Sequence, residues 1–196
     1  GRLIVERLTT AGLEPISASR SSGAMRLDVD NPADLKAHLK QRDLVIDAAG
    51  PFQKRSQALI DAARTIGFDV IDLSDSPDYT SKVYEREAPI GAAGIRVLTA
   101  CSALSTVSAL MPASTGIEQP RRLSVYLRPA SRHTANPATV LSFLSSIEGH
   151  WRLFRFGQSL GNRHGITVRS VDSVTLPRLF ESLHSTELVV DTGSTI

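Results

Sequence analysis

Apolar residues at Leu3, Ile4, Leu8 and Ala11 have the spacing of one helix face. They predict a helix over residues 1–11, with Gly12 placed to cap its C-terminal end. Glu14–Ser19 (EPISAS) predicts a short strand, Arg20–Gly23 a polar turn, and Met25–Val29 a second strand. Asn31-Pro32 supplies an N-cap and a first-turn proline, with Asp34 favourable to the dipole, for a helix to about Gln41. Leu44–Ala49 (LVIDAA) is an apolar run of the kind that forms a buried parallel strand. Lys54–Ile66 predicts a helix ended by Gly67, and Asp69–Leu73 the next strand. A helix over Asp78–Ala93 should be kinked or shortened by Pro89. Ile95–Ala100 then reads as a strand and Ser105–Ala113 as a short helix.

Strands alternating with helices imply parallel pairing and right-handed crossovers. The expected fold class over residues 1–119 is α/β: a Rossmann-like doubly wound parallel sheet, its first strand missing ahead of Gly1. Between Ser19 and Met25 there is room for a turn but no helix. After about Pro120 the pattern changes. Arg122–Leu127, Trp151–Phe156, Ile166–Val171 and Thr186–Val190 read as strands, with helices over Asn136–Glu148 and Leu176–Leu183. Residues 120–196 are therefore expected to be part of an α+β second domain for substrate binding or dimerisation. The opening helix and the closing ELVVDTGSTI read as the edges of a fragment or trimmed chain.

Composition narrows the class. Hydrophobic residues at 41% and charged residues at 21% are ordinary for a globular protein. No stretch approaches the roughly 18 apolar residues of a membrane span, and no secretory signal pattern is visible. Cys101 is the lone cysteine, which excludes an intrachain disulfide and a cysteine-based zinc site. A cytoplasmic protein is expected. Residues 121–178 carry nine arginines against Glu148 and Asp172. They show no nucleic-acid-binding motif, so a solvated basic surface is favoured over a nucleic-acid partner. His133, His150, His164 and His184 show no metal-ligand spacing.

Chemistry concentrates where strands end. Gly1 starts a helix, whose N-terminus favours a phosphate. Arg20 stands where a dinucleotide fold places an acid for the NAD ribose or an arginine for the NADP 2′-phosphate. With Ser19, Ser21 and Ser22 as extra donors, NADP is favoured over NAD. Asp28 could accept from the adenine amine while Val29 packs on the ring; a turn-capping aspartate is the equal alternative. Asp47-Ala48-Ala49-Gly50-Pro51-Phe52 puts small residues at a strand's carboxyl end, where a flat cofactor can lie against backbone.

DLVIDAAGPF, followed by DVIDLSDSPDY and then IRVLTACSALSTVSAL, resembles the saccharopine dehydrogenase-like NAD(P)-binding proteins; GQSLGN and VDSVTLPRLF resemble that family's second domain. The resemblance implies a preceding strand and a GxxGxxG loop of which Gly1 is the last glycine. It also implies an oxidoreductase acting on a small molecule. Catalytic residues have no signature. Asp75, Tyr79, Cys101 and Ser102 fall near strand ends, but Cys101 has no histidine near in sequence and Tyr79 lacks a lysine four residues on. A non-catalytic dinucleotide sensor or scaffold is the alternative. Arg128 and Arg132 could hold a substrate carboxylate, and the later strands could pair across a homodimer.

Overall fold

The computed structural model describes residues 1–128, 143–147, 152–155 and 161–195. Helix α1 (Arg2–Thr10) is followed by two-residue strands β1 (Ala18–Ser19) and β2 (Met25–Arg26), then α2 (Pro32–His38) and β3 (Leu44–Asp47). A 3₁₀ turn (Phe52–Lys54) leads to α3 (Ala58–Ile66), β4 (Asp69–Asp72), α4 (Pro77–Tyr84), α5 (Glu87–Ala92), β5 (Val97–Leu98) and α6 (Ala103–Ser114). Then come β6 (Arg122–Leu127), β7 (Arg152–Arg155), β8 (Asn162–Val168), α7 (Asp172–Leu179) and β9 (Ser185–Thr195).

The first half is Rossmann-like α/β. β1 and β2 pair in parallel, as do β3, β4 and β5 in that order. They form two separate parallel sheets, as expected of a doubly wound sheet that lacks its first strand. In a doubly wound order of 3-2-1-4-5-6, β2-β1 take the places 3-2 and β3-β4-β5 the places 4-5-6; no described residue supplies the strand between them. The β1–β2 connection is a turn. Gly23 is required there, because its φ is +112° and a Cβ would lie 2.9 Å from the carbonyl oxygen of Ser17.

Local chemistry sets the element ends. Asn31 accepts from the Ala33 N–H and Ser76 from the Tyr79 N–H, each ahead of a first-turn proline. The helix expected over Asp78–Ala93 divides into α4 and α5, which leaves Pro89 in the first turn of α5 where its missing N–H costs nothing. Leu35, Leu59, Ile60, Ala63, Phe68 and Val70 are fully buried between α2, α3 and the sheet. Each large one contributes roughly 1.5–3 kcal/mol by burial.

The second half is built on a four-stranded mixed sheet of order β6-β9-β8-β7, with β6 parallel to β9 and the other pairs antiparallel. Ile166, Val168, Leu188 and Val190 form its core, with Leu104, Val125 and Phe143 against it. Residues 136–142 of the expected Asn136–Glu148 helix lie outside the described residues, as do Arg132, His133 and His150. Among the described residues no helix is long and apolar enough to cross a membrane, and no group of three His, Cys, Asp or Glu side chains is placed to hold a metal ion.

Candidate functional site

The same device recurs where three parallel strands end. A carboxylate accepts the backbone N–H two residues on: Asp28 from Asp30 at 3.0 Å, Asp47 from Ala49 at 2.9 Å, and Asp72 from Ser74 at 3.0 Å. Such turns fix the direction in which the chain leaves a sheet. Asp47 and Asp72 stand opposite each other in the β3–β4 register. Asp72 also accepts from the Ala100 N–H at 2.9 Å and so holds that residue at a φ of +60°, a strained conformation for a side chain at the end of β5.

Arg55 organises the loop after β3. Its guanidinium donates to both oxygens of Asp47 at 3.3 and 3.0 Å, to Asp30 at 3.1 Å, and to the Ala49 carbonyl at 2.6 Å. The N–H and hydroxyl of Ser56 donate to the same Asp30 oxygen at 3.0 and 2.7 Å. Burial works against the guanidinium charge, but Asp47 and Asp30 outweigh it, and the Arg55 pKa is raised. Burial likewise opposes ionisation of Asp30, yet the hydrogen bonds from Ser56 and Arg55 hold its carboxyl below the usual range. Among the described residues no cation is paired with Asp72. Burial, above all, pushes its carboxyl up, the Ala100 and Ser74 N–H groups draw it back, and its Oδ2 accepts no hydrogen bond.

The result is a ledge. Ala48 is half-buried, and Ala49 and Gly50 are exposed. The Gly50–Pro51 peptide is cis. Phe52 is buried edge-on to Tyr79, ring centroids 5.2 Å apart. A Cβ at Gly50 would meet nothing nearer than 3.9 Å, so the chain's own packing does not require glycine there. The room beyond that position is open, which fits a flat group lying against backbone.

Asp30 ties the loop after β2 to the loop after β3, and β1 is parallel to β2. Arg20, Asp28 and the ledge therefore stand at carboxyl ends whose loops meet. Arg20 and Ser21 are exposed. The Ser19 hydroxyl is turned inward: it accepts from the N–H groups of Ser21 and Ser22 and donates to the Ser22 carbonyl, so it builds the turn. Asp28 caps its own turn, and Val29 packs on the core. Gly1 begins α1, which has no buried residue; among the described residues no hydrogen bond or ion pair ties α1 to the ledge.

Other candidates fall away from acid–base chemistry. Tyr79 is 2% exposed, and burial raises its pKa. The Cys101 thiol is pushed up by burial and then by Asp72, the reverse of what a nucleophile needs. Ser102 caps α6. Exposed Asp75 accepts from Gln53 at 3.3 Å, bridging the loops after β3 and β4. Five arginines of the basic stretch are ion-paired: Arg122 with Glu187, Arg128 and Arg163 with Asp191, Arg169 with Asp78, and Arg178 with Glu87.

Sequence reasoning missed Arg55, Asp30 and Asp72. One signal was present: Val-Ile-Asp occurs at 45–47 and again at 70–72, each time as a strand's end.

Residues 5–98, from within α1 to the end of β5 and with the ledge near their middle, match the family described as Saccharopine dehydrogenase NADP binding domain. No curated protein matches the chain.

Proposed function

We propose that the chain, residues 5–98 of which match the saccharopine dehydrogenase NADP binding domain, is the cofactor-binding part of an NAD(P)-dependent oxidoreductase, with NADP favoured. One observation carries the reading: an exposed Ala49-Gly50 ledge at the carboxyl end of β3, held by buried Arg55 and open where a side chain would stand. In open α/β sheets ligands bind in the crevice outside such strand ends.

Ala48, Ala49, Gly50, Pro51 and Phe52 form the surface for the flat part of the dinucleotide. Asp28 and Val29 face its adenine side, and Arg20 with Ser21 takes the 2′-phosphate. Ser19 shapes that turn, and Gly1 at the α1 N-terminus takes the pyrophosphate. When bound, the nicotinamide supplies the hydride chemistry, while this chain's residues bind and orient it. Residues 120–196 serve a small-molecule substrate or a partner subunit.

The test is calorimetric titration of the full chain and of Gly50→Val with NADPH and NADH. Tighter binding of NADPH is expected. In Gly50→Val binding should be lost while stability stays within about 0.5 kcal/mol, since no packed atom is displaced. No heat with either nucleotide at millimolar concentration, or an unchanged affinity in Gly50→Val, sinks the proposal.

A second reading, dinucleotide binding without turnover, is favoured by the buried Tyr79 hydroxyl and the raised Cys101 thiol, both unsuited to proton transfer. Steady NADPH consumption with any of a panel of imino acids, ketones and enoyl compounds eliminates it.

A further inference from the structure

The short turn after β1 changes what its neighbour β2 can present. Parallel neighbours are ordinarily joined by a helix, which covers one face of their sheet. Here residues 20–24 alone make the connection. The pairing is tightly fixed: the Met25 and Leu27 N–H groups donate to the Ser17 and Ser19 carbonyls at 3.0 Å each, and the Ala24 N–H to the Ser17 hydroxyl at 3.2 Å. Ser19 and Arg26 are thereby register partners.

Side chains alternate across a strand. Leu27 is buried and shares the core with Leu35 of α2, so Arg26 belongs to the opposite face, where it is exposed. Neighbouring strands lie about 4.8 Å apart, and Arg20 directly follows Ser19, the last residue of β1. Two arginines therefore stem from adjacent strands at the same end of one small sheet.

Like charges set side by side are destabilising unless an anion joins them. The carboxylates near in sequence are used otherwise. Asp28 caps its own turn, Asp30 is paired with Arg55, and Asp34 accepts the Asp28 N–H at 3.1 Å. Among the described residues neither Arg20 nor Arg26 has an ion pair or a hydrogen bond from its guanidinium. Arg55, Arg64, Arg86 and Arg96 in the same half are each paired with an aspartate.

We propose that Arg26 is a second ligand of the cofactor's 2′-phosphate, reaching it from β2 while Arg20 reaches it from the end of β1. The assignment rests on the NADP-binding reading above. A phosphate monoester carries about −1.5 to −2 charges near neutral pH, more than one guanidinium balances. Its three terminal oxygens suit two planar forks, each able to donate two parallel hydrogen bonds. The turn that replaces the crossover helix is what leaves Arg26 uncovered for this role.

Calorimetric titration of the full chain, Arg26→Ala and Arg26→Lys with NADPH and with NADH tests it. Arg26→Ala should weaken NADPH binding roughly 10- to 100-fold, the worth of a hydrogen bond to a charged group, and leave NADH within about twofold of the parent. Arg26→Lys should recover part of the NADPH loss, because the charge returns without the fork. An NADPH-to-NADH affinity ratio unchanged in Arg26→Ala overturns the proposal and leaves the NADP reading standing on Arg20. An equal loss for both nucleotides overturns it as well, since that marks a structural effect. A parent that binds neither nucleotide, or both equally well, removes the NADP reading and this proposal with it.

Discussion

Replacing Arg55 with alanine should be among the most damaging single changes in the α/β half. The side chain is 6% exposed and that of its partner Asp47 is 1% exposed, whereas that of Asp30 is 35% exposed. The cost therefore falls on Asp47. Water can reach Asp30 and screen it, so its pairing adds little; Asp47 would be left as an uncompensated buried charge. Breaking a buried pair from one side costs roughly 3–5 kcal/mol. For a chain of this length that lowers the Tm by roughly 6–20 °C, a large part of a total stability of roughly 5–15 kcal/mol. The Ala49 carbonyl also loses its donor, so the ledge should loosen and dinucleotide affinity fall. Urea unfolding of Arg55→Ala, Asp47→Leu and the double variant Asp47→Leu/Arg55→Leu measures the effect. The double variant should recover at least half the loss, because it leaves no buried charge behind. A single variant within about 1 kcal/mol of the parent would mean that the pair behaves as an exposed one, and the account of the ledge would fail.

Two further outcomes test neighbouring groups. Arg20→Ala should weaken NADPH binding and leave NADH binding nearly unchanged in competition fluorimetry; an equal loss for both refutes a 2′-phosphate role for Arg20. Asp72 has a folded pKa raised above its ordinary value of 3.8, chiefly by burial. Its contribution is fully present below the unfolded value and is lost as pH rises through the folded one. Asp72→Asn should flatten that fall in denaturant unfolding across the acid range, and a parent-like slope in the variant rules the argument out.

What could be read in the sequence was local. Asn31, Gly12 and Gly67 mark helix ends by chemistry confined to a few residues, and those ends stand where expected. The apolar run at Leu44 announced a parallel strand, but not its burial: Leu44 is exposed, Val45 and Ile46 are half-buried, and Asp47 is the buried position. The helix expected from Lys54 starts only at Ala58, because Arg55 and Ser56 are drawn out to Asp30 and Asp47. That is a tertiary pull on residues whose helix propensity is unremarkable. The same links, 8 and 25 residues long in sequence, have no period to betray them. Even so, they hold the loops of the candidate site. The ledge itself was legible because small residues and a proline leave a compositional trace; its support was not, because an arginine's partner is chosen in three dimensions. Helix α6 shows the same limit: Ser105 and Ser108 are buried while Val107, Leu110 and Met111 on it are exposed, a reversal that apolar periodicity does not announce.

Arg169, just after β8, reaches Asp78, and Arg178 in α7 reaches Glu87, so this stretch grips α4 and the start of α5 with two arginines nine residues apart. Arg178 also lies over the Tyr84 ring, 4.3 Å from its centroid. These clasps sit in water and are individually feeble. Asp78 lies three residues beyond Asp75, the residue that Gln53 joins to the ledge's loop. Dissolved salt should therefore loosen the hold that Arg169 and Arg178 keep on α4 and α5, elements whose connection to β4 leads back to the crevice.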